Sequence, residues 1–184
     1  TGWEYGMPLA YLRPLVEHWR DKYDWRAQER ALNRLEHYRT RIDGQSIHFA
    51  HVRSRHADAF PLIISHGWPG SIVEFLKVVG PLTDPEAHGG NRADAFHLVL
   101  PSLPGYGFSE PTRTRGWDTR RIAEAFAELM RRLGYTRYGA QGGDWGAMVT
   151  SNLALADPQH IAGIHTNMPR PRRCAACCAP AAPS

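Results

Sequence analysis

Cysteine is almost absent from this chain. Its three cysteines, Cys174, Cys177 and Cys178, all lie within the last eleven of the 184 residues. A body without cysteine excludes the disulfide framework that is typical of small secreted proteins, and it favours a cytoplasmic location.

Long apolar runs are also absent. No run approaches the roughly 20 residues that a helix needs to cross a bilayer, and the start of the chain shows no secretory signal peptide. We therefore expect no membrane partner. The chain begins at Thr1 rather than at Met, which leaves the true N-terminus open.

Charge of one sign forms no long block in the body of the chain. The net charge of +4 comes mostly from arginines that are interspersed with acids, as in RDKYDWRAQERALNRLEHYR. Such mixing is typical of solvated helix faces, so we expect no nucleic-acid partner. What the chain does contain, 42% hydrophobic and 10% aromatic residues, is typical of a globular protein.

Apolar spacing predicts two helices and a hairpin in the N-terminal part. Apolar residues recur at helical spacing over 8–23, and Asp24 is placed to cap a second helix. The apolar stripe of the first helix is expected to be core. Asp43-Gly44 stands between two short extended runs, which is a strong signal for a hairpin.

Four apolar runs further along the chain predict strands that are buried on both faces, with helices between them. Gly80-Pro81 is expected to end the helix after the first of these strands, and Gly134 the helix before the third. Alternating strands and helices predict an α/β fold with a mostly parallel sheet. The predicted strands cover 60–66, 95–101, 137–141 and 161–168, and the predicted helices between them 71–79, 119–133 and 145–157.

The stretch YGAQGGDWGAM has the glycine spacing of the strand-to-helix turn that exposes a nucleophile in many hydrolases. Its central residue is Asp144 where serine usually stands, and Gly142 and Gly146 leave room for a sharp turn. Such a turn places Asp144 at the carboxyl ends of the strands, where open α/β sheets bind ligands. A simple helix cap is the alternative, although a cap needs no glycine on both sides.

A carboxylate in this position favours attack on a saturated carbon. Displacement of a leaving group there forms an alkyl ester on the aspartate, and water then attacks the carbonyl carbon of that ester. The tetrahedral oxyanion of this second step needs an oxyanion hole. Epoxides and haloalkanes are suitable substrates for such a site.

The segment HGWPG, His66–Gly70, directly follows the first buried strand and supplies the expected hole. The donors are the backbone N–H of Trp68 and that of Trp145, the residue after Asp144. An ordinary strand-to-helix turn is the alternative for this segment. The expected supporting positions are His66, Gly67, Pro69, Gly142, Gly143 and Gly146.

The motifs HGWPGS, LPSLPGYGFSEP and QGGDWGAM, together with the N-terminal segment, resemble the microsomal and juvenile-hormone branch of the epoxide hydrolases of the α/β-hydrolase fold. The resemblance runs from about Gly2 to Pro169, the N-terminal part of that fold. It implies that Asp144 is the nucleophile, that the N–H groups of Trp68 and Trp145 form the hole, and that the Trp68-Pro69 bond is cis. It also implies a small apolar epoxide as the substrate, and no metal or organic cofactor.

Two histidines near these motifs are expected to be structural. His66 is expected to orient the oxyanion loop by hydrogen bonding, because the family takes its general base from elsewhere. His165, in the last predicted strand, is expected to be a core histidine with satisfied hydrogen bonds.

The family pattern stops near Pro169. Relatives continue through a lid, in which two tyrosines donate protons to the opening epoxide, and then supply a carboxylate and a histidine that activate water; no residue here matches these. The tail RPRRCAACCAPAAPS instead suggests a frameshifted or truncated gene product, with a metal site at Cys174-x-x-Cys177-Cys178 as the alternative. The predicted parts are an N-terminal helical segment (1–41), an incomplete hydrolase core (42–169) and an irregular tail (170–184).

Two functional hypotheses of different class follow. In the first, the chain is an epoxide hydrolase in kind that is inactive or severely impaired alone. In the second, it is a non-enzymatic remnant, or a subunit that associates with another copy through an exposed sheet edge. Haloalkane dehalogenation is a weaker third hypothesis, because haloalkane dehalogenases share the Asp-Trp turn but lack the N-terminal segment.

Overall fold

The computed structural model describes residues 2–168 and divides the chain into two compact units, Thr1–Arg34 and Leu35–Ser184. The expected break near Pro169, the tail and its cysteines lie outside the described residues. Within the described part, no helix is long and apolar enough to span a bilayer.

The first unit contains two helices, α1 (Leu9–Lys22) and α2 (Trp25–Leu32). Asp24 caps α2 as predicted, because its carboxylate accepts a hydrogen bond from the Ala27 N–H at 2.9 Å. The prediction that the apolar stripe of α1 is core is wrong for the described chain, since no residue of α1 is buried. A unit of two short helices has too little apolar surface to bury such a stripe by itself.

The second unit is built on a six-stranded sheet with the strand order β1-β2-β4-β3-β5-β6. β1 (His37–Ile42) and β2 (Gln45–Val52) form the predicted antiparallel hairpin. Asp43 and Gly44 both have positive φ, 49° and 74°, which a tight turn between twisted strands requires.

The remaining four strands are parallel to one another. β3 pairs with β4 on one side and with β5 on the other, and β6 pairs with β5. The predicted parallel α/β arrangement is therefore confirmed, and β2 joins it antiparallel to β4. The strands are β3 (Phe60–Ser65), β4 (Phe96–Pro101), β5 (Tyr138–Gly142) and β6 (Ile161–Thr166).

Two helices, α4 (Thr119–Arg132) and α5 (Trp145–Ala156), cover one face of the sheet. Asp118 caps α4 through two backbone N–H groups, and Gly134 follows its end with a φ of 83°, both as predicted. The hydrophobic core lies between these helices and the sheet. Its most buried members include Ile63, Val99, Phe126, Leu129, Met130, Tyr138, Val149 and Leu153.

A shorter helix, α3 (Leu76–Thr83), follows a 3-10 turn at Ile72–Phe75 and lies on the other face. Leu62 and Ile64 line a groove together with α3, whereas Ile63 between them belongs to the core on the first face. The alternation along β3 thus places helices on both faces of the sheet.

The end of α3 differs from the prediction, because the helix continues past Gly80-Pro81. The Thr83 hydroxyl donates to the Val79 carbonyl at 2.8 Å, and the Asp84 N–H donates to the Gly80 carbonyl at 2.9 Å. These two bonds hold the last turn although Pro81 has no N–H to contribute.

The last strand, β6, also differs from the prediction of a strand buried on both faces. Its residues 162–165 are exposed, because β6 is the edge of the described sheet and pairs on one side only.

Beside α3, an open apolar groove of about 500 Å³ runs along the sheet. Its lining includes Leu62, Ile64, Phe75, Val78, Leu82 and Phe96.

Candidate active site

The predicted motifs meet where β3 and β5 end. These strands are parallel neighbours, and Ser65 of one lies opposite Gly142 of the other. The loop after β3 and the turn after β5 therefore leave the sheet side by side, at the edge where open α/β sheets bind ligands.

Asp144 occupies a strained turn between β5 and α5. Its φ of 52° and ψ of −123° are unusual for a residue with a side chain, and they are characteristic of a nucleophile at a strand-to-helix turn. Gly146 passes so close to β3 that a Cβ there would overlap the Ser65 carbonyl oxygen, and a Cβ at Gly142 would overlap the Gly146 carbonyl. The two glycines are thus a packing requirement of the turn.

One of the two predicted backbone donors binds the Asp144 carboxylate directly. The Trp68 N–H donates to Oδ1 at 2.8 Å, and the Trp145 N–H lies close enough to favour the charged form of the same carboxylate. These two N–H groups, that of Trp68 first, lower the pKa of Asp144 below its usual value near 3.8, because they stabilise the charged form. The Trp68-Pro69 bond is cis, as expected.

A pocket of about 160 Å³ opens beside Asp144. Five of its seven lining residues are predicted site residues, whereas Glu74 and Asn167 are not. The five are Gly67, Trp68, Pro69, Gly143 and Asp144.

Glu74 brings a second carboxyl group to the pocket. Its sequence signal, Ser71-x-x-Glu74, is that of a capping box, and Ser71 does accept a hydrogen bond from the Val73 N–H at 3.3 Å. Burial raises the pKa of Glu74 and the charge of Asp144 raises it further, although a bond to the Ser71 backbone opposes this. The pKa values of the two carboxyl groups thus shift in opposite directions, and Asp144 is the group that ionises first as pH rises.

Asn167 reaches the pocket because it directly follows β6. In the pairing of β5 with β6, Thr166 lies opposite Gly142, so the next residue of each strand meets beside the turn. No local pattern around Asn167 indicates a site. The only available signal is its place after a strand that neighbours the Asp144 strand.

His66 is buried at the start of the oxyanion loop and does not line the pocket. Its Nε2 accepts a hydrogen bond from the Leu103 N–H at 3.0 Å, and its Nδ1 lies 2.9 Å from the Gly67 carbonyl oxygen. Because a backbone N–H can only donate, the ring proton is on Nδ1 and is donated to Gly67. Burial lowers the pKa of His66, against the opposing effect of the bond to Gly67.

The prediction that His165 is a core histidine is wrong. The residue is exposed on β6 and lines the apolar groove beside α3. The edge position of β6 explains the difference, because no neighbouring strand of the described sheet covers that side.

One group of described side chains has the spacing of a metal site, away from the pocket lining. His56, Asp84 and Glu86 bring ligand atoms within 4.8 Å of one another. The Arg55 guanidinium already lies 2.9 Å from both carboxylates, so it occupies the place where a cation would be needed.

Comparison with known proteins extends these observations. Residues 61–182 match a family model described as alpha/beta hydrolase fold. The chain belongs to this family. Residues 1–75 match a second model, described as Epoxide hydrolase N terminus. The two matches confirm the resemblance to epoxide hydrolases of the α/β-hydrolase fold that the sequence motifs indicated, in the N-terminal segment and in the core.

Curated relatives match most of this alpha/beta hydrolase chain, but the match covers less than half of each relative's own length. A predicted epoxide hydrolase of Stigmatella aurantiaca (strain DW4/3-1) is 59% identical over 167 residues, which cover 91% of this chain and 38% of that protein. Epoxide hydrolase 1 of Sus scrofa is 41% identical over 168 residues, which cover 89% of this chain and 37% of that protein. The chain thus spans about two fifths of the length of these relatives.

A solved structure confirms the fold. Juvenile hormone epoxide hydrolase from the silkworm Bombyx mori superimposes with a TM-score of 0.82 and 36% identity, over 91% of this chain and 44% of that chain. The predicted α/β-hydrolase fold, preceded by an N-terminal helical segment, is the fold of this protein.

Proposed function

We propose that this chain carries the nucleophile of an epoxide hydrolase, and that Asp144 opens a small apolar epoxide to a diol. The observation that supports this most is the 2.8 Å hydrogen bond from the Trp68 N–H to Oδ1 of Asp144. It holds one carboxylate oxygen in an oxyanion hole and leaves the other for attack in the pocket. The named relatives support an epoxide as the substrate.

In the first step, Oδ2 of Asp144 attacks an epoxide carbon, and the bond from that carbon to the ring oxygen breaks. The ring oxygen takes up a proton and becomes a hydroxyl group. The resemblance assigns this proton to two lid tyrosines, which have no counterpart among the described residues. The product of this step is an alkyl ester on Asp144.

In the second step, water attacks the carbonyl carbon of the ester. The negative charge then develops on Oδ1, which the Trp68 N–H already binds, and the Trp145 N–H is the second donor of the proposed hole. The resemblance assigns activation of this water to a histidine and a carboxylate outside the described residues. Neither step calls for a metal or an organic cofactor.

Alone, the 184-residue chain is proposed to be severely impaired. Loss of a positioned acid typically costs about 10²–10⁴-fold in rate, and loss of the base acts on the second step independently. Any ester that does form on Asp144 is therefore expected to accumulate rather than to turn over.

Intact mass spectrometry after incubation with styrene oxide tests this proposal. One adduct of the mass of the substrate is expected, placed on Asp144 by peptide mapping, and Asp144→Ala, which has no side-chain carbonyl to regenerate a carboxylate, is the control that forms none. An adduct on another residue, or one that persists in Asp144→Ala, contradicts the assignment. Complete absence of an adduct supports the alternative of a non-enzymatic remnant.

Haloalkane dehalogenation is the weaker alternative for the same nucleophile. A primary bromoalkane would also leave an alkyl ester on Asp144, with release of bromide. The match of residues 1–75 to an epoxide hydrolase N terminus supports the epoxide instead. A faster adduct with the bromoalkane than with styrene oxide would reverse this preference.

We propose that the isolated chain associates with further copies of itself. The outer edge of β6 has no strand partner among residues 2–168, and the groove beside α3 exposes an apolar surface. Unpaired edges and apolar patches of this kind favour association between copies. We further propose that the protein acts in the cytoplasm.

A further inference from the structure

The pocket beside Asp144 has two sides that the strand order makes different. β5 lies between β3 and β6, so the loop after β3 stands on one side of Asp144 and the residue after β6 on the other. The first side holds Oδ1 through the Trp68 N–H. The second side is formed by Asn167.

The Asn167 amide lies close to Gly143, the residue before the nucleophile. A Cβ added to Gly143 would come within 3.0 Å of Asn167 Nδ2 and 3.1 Å of its Cγ, and closer still to its Oδ1. Such distances are too short for real contacts, so Gly143 is the residue that lets the amide stand here.

Asn167 adds a neutral amide to the pocket lining, beside the carboxyl groups of Glu74 and Asp144. An amide offers a donor and an acceptor at every pH. Within residues 2–168 no hydrogen bond to the Asn167 side chain is found, whereas Glu74 interacts with the Ser71 backbone. The amide is therefore available to a molecule in the pocket.

We infer that Asn167 is a positioning residue, which orients the water molecule that attacks the Asp144 ester from the side opposite the oxyanion hole. This inference rests on the proposed function and adds a residue to its second step. The Asn167 carbonyl oxygen accepts one O–H of the water, which turns a water lone pair toward the ester carbon.

The water oxygen bonds to Cγ of Asp144 while the charge moves onto Oδ1 in the hole. The Cγ–Oδ2 bond then breaks, and Oδ2 leaves with the alkyl group and takes one proton of the water to become a hydroxyl of the diol. The other water proton goes to solvent, and the carboxylate reforms with the water oxygen in it.

Single-turnover mass spectrometry on the full chain, in water labelled with heavy oxygen, separates the two steps. In Asn167→Ala we expect the rate of ester formation to stay within about twofold of that of the parent chain. The rate of ester decay should fall about tenfold, because one contact that positions the water is lost. Gly143→Ala should show the same split because its Cβ displaces the amide. Asn152→Ala, an asparagine of α5 outside the pocket, is the matched control with both rates unchanged.

A second measurement keeps the test independent of epoxide chemistry. In Asp144→Asn, water attack on the same Cγ slowly converts the introduced side-chain amide back to a carboxylate, which mass spectrometry detects with the heavy-oxygen label. We expect this conversion to be faster in the folded chain than in urea, and to slow about tenfold when Asn167→Ala is added.

The outcomes distinguish the two proposals. If the parent chain forms no ester, the proposed function fails for this chain, and the amide conversion alone decides on Asn167. Equal decay or conversion rates with and without Asn167→Ala would overturn the inference. A parallel loss of formation and decay would also overturn it, because that result indicates a merely structural role.

Discussion

The backbone of Asp144 determines which of its oxygens is held and which is free. A φ of 52° turns the side chain toward the loop after β3, where the Trp68 N–H takes Oδ1. The same bond lowers the pKa of the group, so the hole makes Asp144 a weaker base but keeps it ionised. The reactive form is therefore present throughout the physiological pH range.

This gives a prediction for the pH dependence of ester formation on Asp144. Because the pKa of Asp144 is lowered below 3.8, the reactive carboxylate is the major form from that pH upward and is lost only at lower pH. The rate of adduct formation from styrene oxide should be flat from about pH 5 to 8. An inflection near neutral pH would show that another group controls the first step.

A second prediction concerns the packing of the turn at Gly146. Gly146→Ala should lower the free energy of unfolding by about 3 kcal/mol, because its Cβ would overlap the Ser65 carbonyl, which the sheet holds in place. Gly163→Ala is the control, since a Cβ there meets nothing within 4 Å, and it should change stability by less than about 1 kcal/mol. Urea unfolding followed by fluorescence measures both; equal losses would contradict the packing argument.

At the scale of elements, buried histidines tie the loop after β4 to its neighbours. His66 binds Leu103 of that loop. From β2, His48 Nδ1 lies 2.9 Å from Ser102 Oγ, and its Nε2 lies 2.9 Å from His37 Nδ1. The buried side chains of His66 and His48 thus hold the loop after β4 against the oxyanion loop and against β2, and burial lowers the pKa of both, which makes this arrangement sensitive to acid.

The prediction at the scale of elements concerns the loss of stability at acid pH that His48 causes. Burial, and next electrostatic repulsion from His37 and Arg39, lower the pKa of His48 from 6.5 to about 4. The unfolded state therefore binds a proton first, and stability that is complete above about pH 6.5 is lost as pH falls toward 4. This loss is on the order of 2–3 kcal/mol.

Urea unfolding at pH 7 and at pH 4.5 tests this prediction. His48→Gln should show a smaller loss of stability between the two pH values than the parent chain. His18→Gln, at an exposed position of α1, should show the parental loss. The effect is a reduction rather than an abolition, because burial also lowers the pKa of His51 and His66.

At the scale of the molecule, one face of the sheet is well covered and the other is not. α4 and α5 close over the core, whereas α3 leaves a groove of about 500 Å³ beside it. β6 is exposed at the edge next to this groove. The chain spans about two fifths of the length of its relatives.

For the isolated chain we therefore predict self-association that depends on the groove. Val78→Glu places a charge on a groove residue that is 41% exposed, and it should shift size-exclusion chromatography toward the monomer and lower binding of a hydrophobic dye. Val73→Glu, at a residue that is 51% exposed outside the groove lining, is the matched control. A sharp monomer peak of the parent chain, without dye binding, would contradict the prediction.

Sequence reasoning located the turn at Asp144 and the Trp68 N–H beside it, because backbone conformation there depends on local glycine and proline spacing. It did not locate Glu74 or Asn167, since tertiary packing alone brings them to the pocket. Exposure was predicted least well. The stripe of α1 and the strand β6 have core-like sequences but are exposed, because burial depends on which other surface covers an element.

The bond between the Trp68 N–H and Oδ1 of Asp144 also has a consequence for inhibitors. Under the proposed function, one oxygen atom of the protein occupies the hole as carboxylate, as ester carbonyl and as oxyanion. Reagents that inhibit serine hydrolases by placing an oxygen of their own in the hole, such as boronic acids and trifluoromethyl ketones, find that position already taken. Such reagents should leave this protein untouched in a mixture of serine hydrolases of the same fold.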